Sequence, residues 1–140
     1  MRALAVLVGA AVVVAAVDLT HKAVAISERG GAVLAHERSA VYAVGVAAIC
    51  VAWAAAVAFL RAPGIALAAG LLVGGAAGNV VSLALWPSLA GVPNPLVSHG
   101  VAFNLADVSA TLGLVLLVPA VVFFGVRHRD RLSEPLRLRS

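Results

Sequence analysis

Residues 65–86 have the sequence IALAAGLLVGGAAGNVVSLALW, which contains no charged side chain. A helix rises about 1.5 Å per residue, so this run can cross the roughly 30 Å of hydrocarbon in a bilayer. Gly70, Gly74 and Gly78 recur at intervals of four and favour a close approach to another helix. The run therefore predicts a transmembrane helix with one tightly packed face.

Three further apolar runs, at residues 3–26, 40–60 and 101–125, are also long enough to span a bilayer. The chain has 140 residues, of which 63% are hydrophobic and 11% charged, and its mean hydropathy is +1.08. Soluble domains carry about 25% charged residues. We therefore expect an all-α integral membrane protein with four transmembrane helices in one membrane domain, residues 1–126, followed by a basic tail, residues 127–140.

The first run also has features of a cleavable signal peptide, because Met1 and Arg2 precede an apolar stretch. Its length and the charges of Asp18 and Lys22 favour a retained span instead. We expect this segment to stay in the protein as the first span.

Cationic side chains predict the orientation of the spans. Arg29 and Arg38 lie in the first connection, whereas the other arginines belong to the opposite ends of the spans and to the tail: Arg2, Arg61, Arg127, Arg129, Arg131, Arg137 and Arg139. We therefore expect both termini in the cytoplasm and the connections at residues 27–39 and 87–100 outside. The formal net charge of +4 resides mainly in the tail, so membrane lipids are expected partners and nucleic acid is not.

Polar side chains within the spans are candidates for function, because a charged residue costs about 2.5 to 3.5 kcal/mol to insert. Straight helices place Asp18, Asn79 and Asp107 at similar depths, roughly 21 Å from the cytoplasmic edge. Asn104 lies three residues before Asp107 and is expected on the same face of the fourth span. These residues predict a polar site near the outer third of the bilayer.

Each polar residue also has a structural interpretation. Asp18 and Lys22 are four residues apart, in the order that favours an ion pair, and are expected to act mainly as scaffold. Asn79 is equally consistent with a hydrogen bond that joins two spans and with a role in a site. Asp107 is the strongest functional candidate, because a carboxylate within a span has few structural uses.

Metal and thiol chemistry are not expected. The histidines show no metal-ligand spacing and are predicted to be solvated or interfacial: His21, His36, His99 and His128. Cys50 lies inside an apolar run and is predicted to pack as a small hydrophobic residue. No metal or organic cofactor is implied.

Three short motifs contain these polar residues: Asp18-Leu-Thr-His-Lys22, Gly74-Gly-Ala-Ala-Gly-Asn79 and Phe103-Asn-Leu-Ala-Asp107. They resemble the D-x-x-x-K, G-G-x-x-G-N and F-N-x-A-D motifs of the lipoprotein signal peptidase (signal peptidase II) family. Motif order, spacing and the four-span layout also resemble that family, from Asp18 to about Gly113. The resemblance implies an intramembrane aspartic endopeptidase of the bacterial inner membrane that removes signal peptides from diacylglyceryl-modified prolipoproteins.

The resemblance also implies a catalytic dyad of Asp107 and a second residue in the connection before the last span. In such dyads the ionised carboxylate activates water and the protonated one polarises the scissile carbonyl. The V-x-D-F-like segment of the family is best matched by Val92-Pro-Asn94-Pro, so Asn94 stands at the second position. The implied supporting residues are Asn104, Asn79, Asp18 and Lys22.

An amide cannot carry a proton between water and substrate, so the implied dyad is incomplete. Ser82-Leu83 replaces the acidic-basic pair that follows G-N in the family, and the N-x-G-A-A-F segment is at best Glu37-Arg-Ser-Ala-Val-Tyr42. Glu37 is a candidate second carboxylate if its connection folds inward.

Three functions are consistent with the sequence. The first is an active or weakly active peptidase, and the second is a catalytically inactive relative that binds lipidated precursors or signal peptides. The third is a small proton or ion carrier that uses Asp18 and Asp107.

Overall fold

The computed structural model describes residues 1–29 and 31–132. Its long helices are α1 (Arg2–Glu28), α2 (Ala40–Leu60), α3 (Pro63–Leu85) and α4 (Leu105–Arg127). Among the described residues, these four helices are long and apolar enough to cross a membrane, as predicted. The shorter elements are β1 (Leu34–His36), a 3-10 turn (Pro87–Leu89), β2 (Val92–Asn94), β3 (Leu96–Ser98), β4 (Val101–Phe103) and α5 (Arg129–Leu132). Residues 133–140 of the predicted basic tail lie outside the described residues.

The ends of α2 and α3 follow local sequence signals. Ser39 caps α2, because its side-chain oxygen accepts a hydrogen bond from the Tyr42 N–H at 3.4 Å. α2 ends at Leu60. The next residue, Arg61, has a left-handed backbone with φ of 53°, and Pro63 then occupies the first position of α3. This short connection reverses the chain, so α3 runs back alongside α2.

α3 is the central helix, and glycines form the face that it presents to α1. A Cβ atom built at Gly70 would lie 2.7 Å from the Leu7 carbonyl oxygen, and one at Gly74 would lie 2.8 Å from the Ala11 Cα. Only glycine allows two helix backbones to approach this closely. The predicted packing face of Gly70, Gly74 and Gly78 is confirmed. Residue numbers rise together along this contact, so α1 and α3 run parallel.

Another face of α3 packs against α4 in the same way. A Cβ atom at Gly75 would collide with the Ala106 carbonyl oxygen, and one at Gly113 would lie 2.7 Å from the Ala68 carbonyl oxygen. α3 is therefore buried between two helices, whereas the outward faces of α1, α2 and α4 expose valine, leucine and phenylalanine side chains. Such apolar exposed faces suit contact with lipid.

The two connections at one end of the bundle, residues 29–39 and 86–104, contain the strands, and we call this the strand end. β1 pairs antiparallel with β2, so that His36 lies opposite Val92. β3 and β4 form a hairpin whose two turn residues, His99 and Gly100, have φ of 48° and 78°. The strands cover the ends of the helices from which the candidate site is built.

The fourth helix begins later than predicted. The expected span at residues 101–125 starts with β4, and α4 begins only at Leu105. Residues 101–103 are apolar, and an apolar segment can form a strand or the start of a transmembrane helix. Hydrophobicity alone therefore does not distinguish the two. The start of α4 is determined by Asn104, whose side chain caps the helix.

Candidate functional site

Lys22 lies inside the bundle with no exposed surface, and three oxygen atoms surround its ammonium group. Its Nζ atom lies 2.7 Å from Asp18 Oδ2 and donates hydrogen bonds to Asn79 Oδ1 at 2.8 Å and Ser82 Oγ at 2.9 Å. An ammonium group has three N–H donors, so each donor has an acceptor. The predicted ion pair between Asp18 and Lys22 is confirmed.

Asp18 joins α1 to the start of α4. Its Oδ1 atom accepts a hydrogen bond from the backbone N–H of Ala106 at 2.9 Å, and neither residue has exposed surface. Ala106 belongs to the first turn of α4, where free N–H groups and the helix dipole stabilise a nearby carboxylate. Gly78 leaves the room for this carboxylate, since a Cβ atom there would lie 3.2 Å from Asp18 Oδ2.

Asn79 connects the buried ion pair to Asp107. Its Oδ1 atom accepts from Lys22, and its Nδ2 atom donates to Asp107 Oδ1 at 2.9 Å. The amide therefore joins three helices, α1, α3 and α4. The interpretation of Asn79 as an interhelical hydrogen-bonding residue is confirmed, and the same bond places it in contact with the strongest functional candidate.

Asp107 and Asn104 form a reciprocal cap at the start of α4. The backbone N–H of Asp107 donates to Asn104 Oδ1 at 2.9 Å, and the backbone N–H of Asn104 donates to Asp107 Oδ2 at 3.2 Å. The expectation that both side chains share one helical face was wrong, because Asn104 precedes the first helical residue. Its side chain instead faces the connection that contains β2.

Asn94 contacts this cap through Asn104. Asn104 Nδ2 donates to Asn94 Oδ1 at 2.6 Å and to the Pro93 carbonyl oxygen at 3.3 Å. Asn94 is only 3% exposed, and its Nδ2 atom contacts Nδ1 of His36. A continuous path of hydrogen bonds thus leads from Asp107 through two amides to an imidazole.

These hydrogen bonds determine the orientation of each amide and the tautomer of His36. The Asp107 N–H can only donate, so Asn104 turns its side-chain oxygen towards it. The Pro93 carbonyl oxygen can only accept, so Asn104 turns its NH2 group towards that oxygen. Asn94 must then accept with Oδ1 and turn its own NH2 group to His36. A ring nitrogen that accepts a hydrogen bond carries no proton, so this geometry favours the His36 tautomer with its proton on Nε2.

Two residues of this network are not among the predicted site residues. Ser82 lies one helical turn after Asn79, and its hydroxyl accepts from Lys22 while donating to the Gly78 carbonyl oxygen at 2.7 Å. The spacing of three residues from Asn79 is a signal that could have identified it. His36 has no such signal, because it meets Asn94 only through the pairing of β1 with β2.

Glu37, the candidate second carboxylate, follows β1 and is exposed. Within the described residues, no hydrogen bond or ion pair joins its side chain to Asp107 or Asn94. The neighbouring His36 is a titratable side chain that contacts Asn94.

A groove runs along the outer surface of α4 from Asp107. The half-buried carboxylate forms part of its wall, and the other lining residues are Phe103, Val108, Thr111, Leu112 and Val115. On its inner side the carboxylate contacts Asn79 and Asn104, so it joins the buried polar network to an exposed apolar surface. This arrangement can bind a ligand that is apolar along most of its length and offers hydrogen-bond donors at one point.

Comparison of this chain with protein-family models, with curated proteins and with solved structures found no match. The resemblance to signal peptidase II therefore rests on the three motifs, their order and spacing, and the four-span layout.

Proposed function

We propose that this chain is a signal-peptidase-II-like protein of the bacterial inner membrane. In this proposal it binds the signal peptides of diacylglyceryl-modified prolipoproteins beside Asp107. The termini face the cytoplasm and the strand end faces outward, as the distribution of arginines indicates. Asn94 at the second dyad position makes binding without cleavage the best-supported function.

The observation that carries the proposal is the position of the Asp107 carboxylate between a polar network and an apolar groove. Both of its oxygens accept hydrogen bonds, from Asn79 Nδ2 and from the Asn104 N–H. These donors hold the carboxylate in place at the start of α4. Its oxygens at the wall of the groove can accept further hydrogen bonds from the backbone of an extended peptide.

The apolar lining of the groove supports a lipid-embedded ligand. Val108, Leu112 and Val115 are each roughly half or more exposed along α4, so a hydrophobic peptide segment can cover them. A signal peptide is such a segment, and its diacylglyceryl group can stay in the surrounding lipid. The polar atoms of the precursor then lie near Asp107, at the strand end.

The chemistry of Asn94 supports binding over turnover. An aspartic dyad needs a second group that can hold and release a proton, and an amide cannot do this. Both polar atoms of Asn94 are also engaged within the protein, Oδ1 by Asn104 and Nδ2 by His36. The site therefore retains one carboxylate that can bind peptide and lacks the second proton carrier.

Hydrolysis is the second candidate function, and the contact between His36 and Asn94 favours it. A neutral imidazole can polarise a carbonyl through its N–H group, and the tautomer of His36 leaves Nε2–H for that purpose. Asp107 would take a proton from water as the water oxygen bonds to the carbonyl carbon. The same proton would pass to the amide nitrogen as the carbon–nitrogen bond breaks, which completes hydrolysis with one carboxylate.

The test uses the detergent-solubilised full chain and a diacylglyceryl-modified precursor peptide that carries a photoreactive group. Binding is measured by crosslinking and cleavage by mass spectrometry. We expect the parent to crosslink without cleaving, Asp107→Asn to lose most crosslinking, and Asn94→Asp to gain cleavage. Asp130→Asn makes the same chemical change at an exposed site outside the network and serves as the control.

Three outcomes separate the candidates. Equal crosslinking by Asp107→Asn and Asp130→Asn would rule out binding at Asp107. Cleavage by the parent that His36→Gln abolishes would favour hydrolysis, with His36 as the second functional group. Cleavage by Asn94→Asp alone would identify a binding site from which one proton carrier is missing.

A further inference from the structure

A second cavity lies at the opposite end of the bundle from the strands, between the α2–α3 connection and the end of α4. Its volume is about 400 Å³, within the range of small-molecule sites. The lining residues that decide what it can bind are Arg61, Ile65, Phe123, Phe124, Arg127 and His128. None of them belongs to the network around Asp107.

Two arginines, one at the end of each of two helices, face this cavity. Arg61 directly follows the last residue of α2 and Arg127 is the last residue of α4, so their positions are set by two different helices. Among the described residues, neither guanidinium has an ion pair or a hydrogen bond. Two like charges on one cavity repel each other, so an anion between them is favourable, and guanidinium groups bind phosphate oxygens in pairs.

Apart from His128, the remaining side chains of the wall are apolar and continue onto the lipid-facing surface. Ile65 closes the inner side with 1% exposure, whereas Phe123 is 66% exposed on the outer side. Phe124 stacks on His128 with ring centroids 4.3 Å apart, which keeps both rings in the wall. A ligand that fills the cavity can therefore place a charged group by the arginines and a hydrocarbon chain along Phe123.

The first turn of α3 adds hydrogen-bond donors to the same cavity. Its N-cap residue is Ala62, which has no side chain that can accept a cap hydrogen bond, and the amides of Gly64 and Ile65 follow. These donors supplement the two arginines, whose positive charges give the cavity its preference for an anion.

We propose that this cavity binds an anionic phospholipid, with the phosphate between Arg61 and Arg127 and an acyl chain along Phe123. The phosphate complements the positive charge of the two arginines. The acyl chain matches the apolar wall, which continues onto the lipid-facing surface. The bound lipid would hold the ends of α2 and α4 together, because one arginine belongs to each helix. This proposal is independent of the function at Asp107.

The experiment measures lipid binding to the full chain in a neutral detergent by native mass spectrometry. Phosphatidylglycerol is compared with phosphatidylcholine, which has no net charge. We expect the parent to bind phosphatidylglycerol more tightly, and Arg61→Gln/Arg127→Gln to weaken that binding about tenfold. The control, Arg2→Gln/Arg38→Gln, removes the same net charge outside the cavity and should bind like the parent.

Several results would overturn the proposal. Equal weakening in both double variants would mean that overall charge, and not the cavity, attracts the lipid. Complete displacement of phosphatidylglycerol by millimolar inorganic phosphate would mean that the cavity recognises phosphate without the acyl chain. If the double variant does not fold, Phe123→Ser replaces it, and unchanged phosphatidylglycerol binding by that variant would exclude the proposed position of the chain.

Discussion

Lys22 Nζ and Asp18 Oδ2 lie 2.7 Å apart, and neither side chain has any exposed surface. A buried charge that loses its partner costs about 3 to 5 kcal/mol of folding free energy. We therefore expect Lys22→Met to lower the free energy of unfolding by about this amount, because Asp18 remains without its ammonium partner. The double variant Asp18→Asn/Lys22→Met removes both charges and should be less destabilised than Lys22→Met.

Unfolding by sodium dodecyl sulfate in mixed micelles, followed by circular dichroism, measures both variants. A Lys22→Met protein as stable as the parent would contradict the prediction, since it would mean that Asp18 does not need the ammonium group.

Gly74 and Gly45 provide a matched pair for the packing of α1 on α3. A Cβ atom at Gly74 would lie 2.7 Å from the Ala11 carbonyl oxygen, whereas nothing lies within 4 Å of one at Gly45. We expect Gly74→Ala to destabilise the protein by about 1 to 3 kcal/mol, because the two helices must separate. Gly45→Ala should leave the stability unchanged or raise it by up to about 1 kcal/mol, because alanine favours helix. The same detergent unfolding assay compares them, and equal effects would exclude the close contact.

The tautomer of His36 tests the orientation of the amides. In the parent, the 15N spectrum of the neutral ring should show the proton on Nε2. Asn104→Asp keeps an oxygen for the Asp107 N–H but has no NH2 group for Asn94. We then expect Asn94 to turn its NH2 group to the new carboxylate and its oxygen to His36, which moves the ring proton to Nδ1.

His128 is the internal control for that spectrum. Its Nδ1 atom lies 2.9 Å from the Phe124 carbonyl oxygen, which can only accept, so Nδ1 carries the proton. This tautomer should be the same in the parent and in Asn104→Asp. An unchanged His36 spectrum in Asn104→Asp would show that residue 104 does not determine the His36 tautomer through the amide orientation of Asn94.

Gly91 controls the approach of β1 to β2. A Cβ atom there would collide with the His36 carbonyl oxygen and would lie 2.9 Å from the Glu37 backbone nitrogen. We expect Gly91→Ala to separate the two strands and to accelerate hydrogen exchange of the backbone amides at residues 34–36 about tenfold or more. Gly9→Ala adds the same methyl group where nothing lies within 4 Å and should not change the exchange. Equal exchange in the two variants would contradict a tight β1–β2 contact.

The lengths of the apolar runs predict the helices well, because a span in lipid must satisfy its backbone hydrogen bonds within itself. Residues 40–60 coincide with α2, and the ends of α3 lie close to residues 65–86. The start of α4 was missed, because β4 at Val101–Phe103 is as apolar as a helix start. Only the Asn104 cap and the hairpin with β3 distinguish the two.

Which polar residues need partners can be read from the sequence, since the cost of a charge in a span is a property of that residue and its immediate neighbours. Asp18, Lys22, Asn79 and Asp107 could be selected on that basis. Their partners depend on the tertiary structure, because Lys22 and Asn79 are 57 positions apart and Asp18 and Ala106 are 88 apart. Glycine contacts between parallel helices and the pairing of two three-residue strands bring such distant positions together, and neither has a strong local signal. The tertiary structure therefore brings His36 into the network and places Asn94 in contact with Asn104.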